Sequence, residues 1–171
     1  MSQKLRAVAI TVSDRCARGE QEDRSGQALV ELLREMNAEI VYTEIVADDL
    51  EPLAQKLIFY AERDDVNLVV TTGGTGVAPR DNTPEATRRA IEREVPGMAE
   101  AMRMETLKQT PTAMISRGVC GVRSGALIVN LPGSPAGVRV LRRRPPRAPA
   151  RRRFDHGSAA RSGRVKFSFQ I

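Results

Sequence analysis

Apolar and polar positions along the chain fall into alternating blocks. Leu5 to Val12 is a short aliphatic and β-branched run closed by Ser13 and Asp14, the pattern of a strand buried on both faces of a parallel sheet. Downstream, Leu29, Leu32, Leu33 and Met36 recur at helical spacing and predict a sheet-packing helix, with Ser25 as its capping residue. The alternation then repeats. Ile40 to Val46 reads as a second strand, Asp48 and Asp49 as a turn, and Leu53, Leu57, Ile58 and Ala61 as one face of a second helix. Asn67 to Thr72 makes a third strand. Thr83-Pro84-Glu85 has the order of a helix start: a capping hydroxyl, a proline whose missing N–H costs nothing, and an acid in the first turn. Another helix begins at Pro96. Ala126 to Leu131 is a further buried strand, stopped by Pro132-Gly133-Ser134-Pro135. Strands alternating with helices predict an α/β fold with a mostly parallel sheet and right-handed crossovers.

Composition sets the scale of this fold. A chain of 171 residues with 41% hydrophobic side chains can bury one core but not two large ones. No run approaches the roughly 18 apolar residues of a membrane helix, so a cytoplasmic location is expected. Cys16 and Cys120 lie far apart in sequence and form no C-x-x-C pair, which predicts free thiols. A single histidine, His156, gives a Ser-His-Asp triad little support.

The net charge of +6 would suggest nucleic acid, but it is local. Residues 139 to 171 hold ten Arg, one Lys and one Asp, which leaves residues 1 to 138 with sixteen basic and twenty acidic side chains. A mildly acidic body has no general footprint for DNA or RNA, so no nucleic-acid partner is expected of it. The same change of composition divides the chain into a domain over 1–138 and an Arg/Pro-rich tail over 139–171. Between Arg142 and Arg164 only Phe154 is a large apolar side chain, and such a segment cannot fill a core. A reading-frame change near codon 139 of a GC-rich gene would yield that composition. A basic tail for an acidic surface is the alternative, though one without interleaved aromatic residues.

The strongest chemical signal is Thr71-Thr72-Gly73-Gly74-Thr75-Gly76, directly after a predicted strand. Three glycines in such a turn let backbone N–H groups approach a phosphate closely. No Gly-Lys-Ser/Thr follows, so it is not a Walker loop, and the spacing is not that of a dinucleotide fingerprint. The segments Ser13-Asp14, Asp48-Asp49, Gly73 to Asp81 and Asn130 to Ser134 each follow a predicted strand. If those strands are parallel, all four gather on the rim where open α/β sheets bind ligands. Two readings of Asp48 and Asp81 stand side by side. In one they hold Mg²⁺ beside a bound phosphate. In the other, Asp48 and Asp49 merely start a helix while Asp81 pairs with Arg80.

Taken together, Ser13-Asp14-Arg15, Asp23-x-Ser25-Gly26, Thr72 to Gly76 with Arg80-Asp81-x-Thr83-Pro84-Glu85, Pro96-Gly97 and Asn130 to Pro135 resemble the MoaB/Mog family of molybdenum-cofactor biosynthesis over residues 5 to 138. The resemblance implies a three-layer molybdopterin-binding fold and an enzyme that moves an adenylyl group from Mg-ATP to the terminal phosphate of molybdopterin, with release of pyrophosphate. It implies Asp48 and Asp81 as the catalytic and metal-binding acids, and Gly73, Gly74, Thr75 and Gly76 as the phosphate loop. Ser13, Asp14, Thr83, Asn130, Gly133 and Ser134 match substrate-pocket positions. A homotrimer is implied as well. Related domains in gephyrin-like proteins make a non-catalytic molybdopterin-binding or scaffold protein of the same fold the competing class. Family members continue past the Pro-Gly-Ser-Pro turn into an amphipathic helix, whereas here the match fades after Val138.

Overall fold

A computed structural model describes residues 4–139. Its strands are β1 (Arg6–Val12), β2 (Glu39–Val46), β3 (Leu68–Thr72), β4 (Arg93–Glu94), β5 (Cys120–Arg123) and β6 (Ala126–Leu131). Its helices are α1 (Asp14–Ala17), α2 (Arg24–Glu35), α3 (Leu50–Glu62), α4 (Thr83–Ala90), α5 (Pro96–Leu107) and α6 (Pro135–Arg139), with a 3-10 turn at Pro111–Ile115.

The strands form one sheet in the order β2-β1-β3-β6-β5-β4. β2, β1, β3 and β6 run parallel, and β5 and β4 add an antiparallel edge. Side-chain alternation explains the layering. Ala7, Ala9, Leu68, Val70, Leu127 and Val129 point to one face and pack with Leu29 and Leu33 of α2. Val8, Ile10, Val69 and Ile128 point to the other and pack with Leu53 and Leu57 of α3 and Ala86 of α4. Strands apolar on both faces need a helix layer on each side, so the α/β sandwich with a mostly parallel sheet follows. Among the described residues no helix is long and apolar enough to cross a membrane.

Register brings the loops together. Val12 pairs with Val46, Thr11 with Thr72, and Thr72 with Leu131, so the parallel strands end level. Asn130 then ties the rim to the layers below. Its side chain, 1% exposed, accepts from Val119 N–H at 3.0 Å and donates to the hydroxyls of Thr71 at 3.0 Å and Thr87 at 2.9 Å.

Several local expectations change. Asp23, not Ser25, caps α2: its carboxylate accepts from Gly26 N–H at 2.8 Å and from the Thr11 hydroxyl at 2.6 Å. Thr83 is the first residue of α4 rather than its cap, and its hydroxyl donates to Gly73 C=O at 2.9 Å. The β5–β6 hairpin turns on Ser124 and Gly125, both at positive φ, a two-residue turn that suits the twist of antiparallel strands. Cys16 and Cys120 are free and buried. The 138/139 boundary falls at the limit of the description, because residues 140–171 and the expectations for them, His156 and Phe154 included, lie outside the described residues.

Asn130→Ala leaves a buried N–H and two buried hydroxyls without their partner, each worth about 1–3 kcal/mol when unsatisfied. Equilibrium urea unfolding is expected to show a loss of about 2–4 kcal/mol; a loss below about 0.5 kcal/mol would contradict this role.

Candidate functional site

The four rim loops are bound to one another by a small set of polar contacts. After β1, Ser13 caps α1 through its hydroxyl, which accepts from Cys16 N–H at 3.3 Å, while Ser13 N–H donates to Val46 C=O at 2.9 Å. Asp14 accepts from Asp48 N–H at 3.0 Å and takes a two-pronged bond from Arg80 at 2.5 and 2.8 Å. Arg80 also donates to Asp49 at 3.0 Å. This guanidinium, and next the Asp48 N–H, holds the Asp14 carboxyl down at about 2.

Asp48 has the opposite environment. It is 6% exposed, and its carboxylate accepts from Asn82 N–H at 2.9 Å while Asn82 Nδ2 donates back to Asp48 C=O at 2.8 Å. Burial pushes its pKa up to about 6; the charges of Asp81 and Asp14 push the same way, and the Asn82 N–H and Arg80 oppose them.

The glycine loop wraps these acids. Gly74 has φ +61°, and a Cβ there would lie 2.3 Å from Thr83 Oγ1 and 2.5 Å from Asp48 Oδ2. The room a side chain would take is thus occupied by the chain's own hydroxyl and carboxylate, a reason for glycine beyond approach to a phosphate. A Cβ at Gly76 would lie 2.8 Å from Asp81 Oδ2. Gly73 N–H donates to Leu131 C=O and Thr83 N–H to Gly74 C=O, both at 3.1 Å. The N–H groups of Gly74, Thr75 and Gly76 have no acceptor among the described residues. Asp81 closes a turn with Ala78, donating N–H to its C=O at 2.9 Å and accepting its N–H at 2.7 Å. Beyond β6, Gly133 comes against Gly73, where an added Cβ would sit 3.1 Å from the Gly73 Cα, and Ser134 caps α6 by accepting from Gly137 N–H at 3.1 Å.

The structure therefore brings Asp14, Asp48, Gly73, Gly74, Gly76, Asp81, Thr83 and Gly133 into one neighbourhood. Thr75 belongs to the same loop with a buried side chain. Asn130 does not face the rim, since its buried amide is spent below it, and the hydroxyls of Ser13 and Ser134 are engaged as helix caps. The alternative reading of Asp81 as the partner of Arg80 does not hold, because Arg80 turns to Asp14 and Asp49. Sequence reasoning missed Asn82, which bridges the Asp48 and Asp81 loops, and Arg117, whose guanidinium donates to Gly76 C=O and Asp81 C=O at 2.6 Å each and to the Glu85 carboxylate. Nothing in the local pattern around Arg117 signals this role, since its partners lie 32 to 41 residues upstream.

Residues 8–143 match a family model described as "Probable molybdopterin binding domain". A molybdopterin adenylyltransferase of Helicobacter pylori is 45% identical over 139 residues, covering 80% of this chain and 79% of the relative. One from Escherichia coli K12 is 39% identical over 137 residues, 79% of this chain and 70% of the relative. The crystal structure of the molybdopterin biosynthesis enzyme MoaB from Thermus thermophilus superposes with a TM-score of 0.75 at 47% identity, covering 81% of this chain and 87% of that one. With sequence and fold in agreement over most of its length, the chain belongs to the MoaB/Mog family of molybdopterin-binding domains.

Proposed function

We propose that the chain transfers an adenylyl group from ATP to the terminal phosphate of molybdopterin and releases pyrophosphate. The observation that carries this reading is the meeting of two carboxylates, Asp48 and Asp81, with a glycine loop whose Gly74, Thr75 and Gly76 N–H groups are free of protein acceptors among the described residues. Relatives named molybdopterin adenylyltransferase, at 39% and 45% identity over most of their length, support it.

Both substrates are polyanions, so a rim bearing Asp14, Asp48, Asp49 and Asp81 repels them unless cations intervene. Arg80 offsets Asp14 and Asp49. Asp48 and Asp81 each spend one carboxylate oxygen on a backbone N–H, and the other has no donor among the described residues. Two hard oxygen donors fit Mg²⁺, which commonly takes one or two carboxylates and completes its shell with substrate phosphate and water. Among the described residues no three His, Cys, Asp or Glu side chains converge as a ready metal cage, which suits a cation that arrives with ATP. When bound, Mg²⁺ would neutralise charge on the phosphates during transfer.

In the step itself, an oxygen of the molybdopterin phosphate bonds to the α-phosphorus of ATP as the bond from that phosphorus to the bridging oxygen breaks, and pyrophosphate carries the electron pair away. The N–H groups of Gly74 to Gly76 orient a phosphate and stabilise its charge. Ser13, Asp14, Thr75, Gly133 and Ser134 are assigned to the substrate pocket as members of the rim loops, with the Ser13 and Ser134 hydroxyls also serving as helix caps. Thr83, by contrast, fixes Gly73 by its hydrogen bond, and Asn130 supports the rim from beneath. We further propose a cytoplasmic homotrimer; the exposed apolar side chains Met104, Leu107, Met114 and Ile115 on α5 and the 3-10 turn supply surface for subunit contact.

Incubation with molybdopterin and Mg-ATP is expected to give adenylylated molybdopterin and pyrophosphate. Asp81→Asn should lower the transfer rate by about 100-fold or more while molybdopterin affinity stays within about threefold, because charge neutralisation acts on the reacting phosphate. Binding of molybdopterin without pyrophosphate release by the wild type would favour a scaffold instead.

The raised pKa of Asp48 adds a pH dependence with a definite sign. Below about 6 the carboxyl is protonated and offers a cation one negative charge fewer. Transfer at limiting Mg²⁺ should therefore fall as pH drops through about 6, and added Mg²⁺ should move the midpoint to lower pH, since cation and proton compete. A flat profile between pH 5 and 7.5, about one unit or more to either side of that value, would contradict an ionised Asp48 at the cation site.

A further inference from the structure

The loop from Gly76 to Asp81 carries an acid of the proposed reaction but almost nothing that would hold it by packing. Val77 is 67% exposed, Ala78, Pro79 and Arg80 are exposed, and none of the loop belongs to either apolar cluster. Its conformation rests on polar contacts. The Ala78–Asp81 turn is local to the loop, and Asn82 fixes its far end to Asp48.

Arg80 reaches out from the tip of the loop to Asp14 and Asp49, and the contacts that close the two ends of the loop on each other come from one residue on another part of the chain. Arg117 follows the 3-10 turn on the approach to β5. Its Nε donates to Gly76 C=O and its Nη2 to Asp81 C=O, both at 2.6 Å, so one planar group closes both ends of the loop. Nη1 donates to Glu85 in the first turn of α4, and Arg117 N–H donates to Thr75 C=O at 2.9 Å. Glu85 neutralises the guanidinium, which leaves the geometry of the fork, more than its charge, as what Arg117 adds. An ammonium on a flexible stem cannot reproduce a rigid planar fork to three acceptors.

We infer that Arg117 is a positioning residue for the transfer reaction, acting through Asp81 by fixing the loop that presents its carboxylate. The catalytic consequence rests on the adenylyl-transfer reading; the loop clamp itself rests on geometry alone. A misplacement of a reacting group by about 1 Å is enough to cost about 100-fold in rate, so loss of the clamp should appear in kcat. Asp48 keeps its own contacts to Asn82, so the rest of the site should remain in place.

Arg117→Gln and Arg117→Lys in the full chain test this by two independent readouts. Hydrogen exchange at the amides of residues 76–82 should become about ten-fold faster or more in both variants, while β1 and β3 stay within about two-fold of wild type. Kinetically, kcat should fall about ten-fold or more with KM for molybdopterin within about three-fold. In an Asp81→Asn background, Arg117→Gln should cost less than about two-fold further, because both changes remove the same function. Unchanged loop exchange, full activity of Arg117→Gln, an undiminished loss in the Asp81→Asn background, or restoration of kcat by lysine would each overturn the inference. Failure of both variants to fold would make Arg117 a residue of the fold and overturn it too. A wild-type chain with no transfer activity would instead sink the adenylyl-transfer reading, and the exchange comparison would still decide whether Arg117 clamps the loop.

Discussion

A carboxylate held out of water against a glycine backbone, with two other carboxylates as neighbours, is the constraint on which the rim of this molecule depends. Asp48 occupies that position. Its ionised form is opposed by burial and by the charges of Asp81 and Asp14, and favoured by the Asn82 N–H and by Arg80. The residues around it follow from this. Gly74 must lack a side chain because the Asp48 carboxylate and the Thr83 hydroxyl fill that space. Asn82 must offer both a backbone N–H and a side-chain amide, and Arg80 must reach across to Asp14 and Asp49 to keep the local charge tolerable.

The sheet makes such an arrangement possible by delivering four loops to one edge. Parallel strands that end level place a loop from each on the same rim, and helices on both faces leave that rim as the open side. The supports beneath are chemically different from the groups above. Thr72 donates to Pro132 C=O at 2.8 Å, and Asn130 spends its amide on Thr71, Thr87 and Val119. These polar side chains are buried and satisfied, so they rigidify the strand ends without facing a ligand.

How much of this could be read from the chain depends on the range of the interaction. The parallel strands and the packing helices were legible because their apolar residues recur at fixed spacing, and the glycine loop because the residue type itself reports the backbone. The edge strands β4 and β5 were not. Arg93–Glu94 is two exposed residues, and Cys120–Arg123 has only two of its four residues buried, so neither leaves a hydrophobic pattern to find. That Asp48 and Asp81 come near one another follows from each standing in a loop after a parallel strand. Yet what separates Asn130 the buried clip from Asp48 the acid of the rim is which way each side chain turns at a strand end, and spacing does not report that. Asn82 and Arg117 act across tens of residues, through contacts that exist only once the sheet has formed. The capping of α2 by Asp23 rather than Ser25 is a smaller case of the same kind, decided by the Thr11 hydroxyl arriving from β1.

The Asp48 carboxyl itself reports most directly on this arrangement. With the side-chain carboxylates labelled with ¹³C, its resonance can be followed through a pH titration of the chain without Mg²⁺ or nucleotide. The account predicts a midpoint near the value of about 6 to which burial and its neighbours push it, falling when Asp81→Asn removes one like charge. A midpoint at the ordinary value of 3.8, unmoved by that substitution, would mean that Asp48 is neither buried nor coupled to Asp81, and would contradict it.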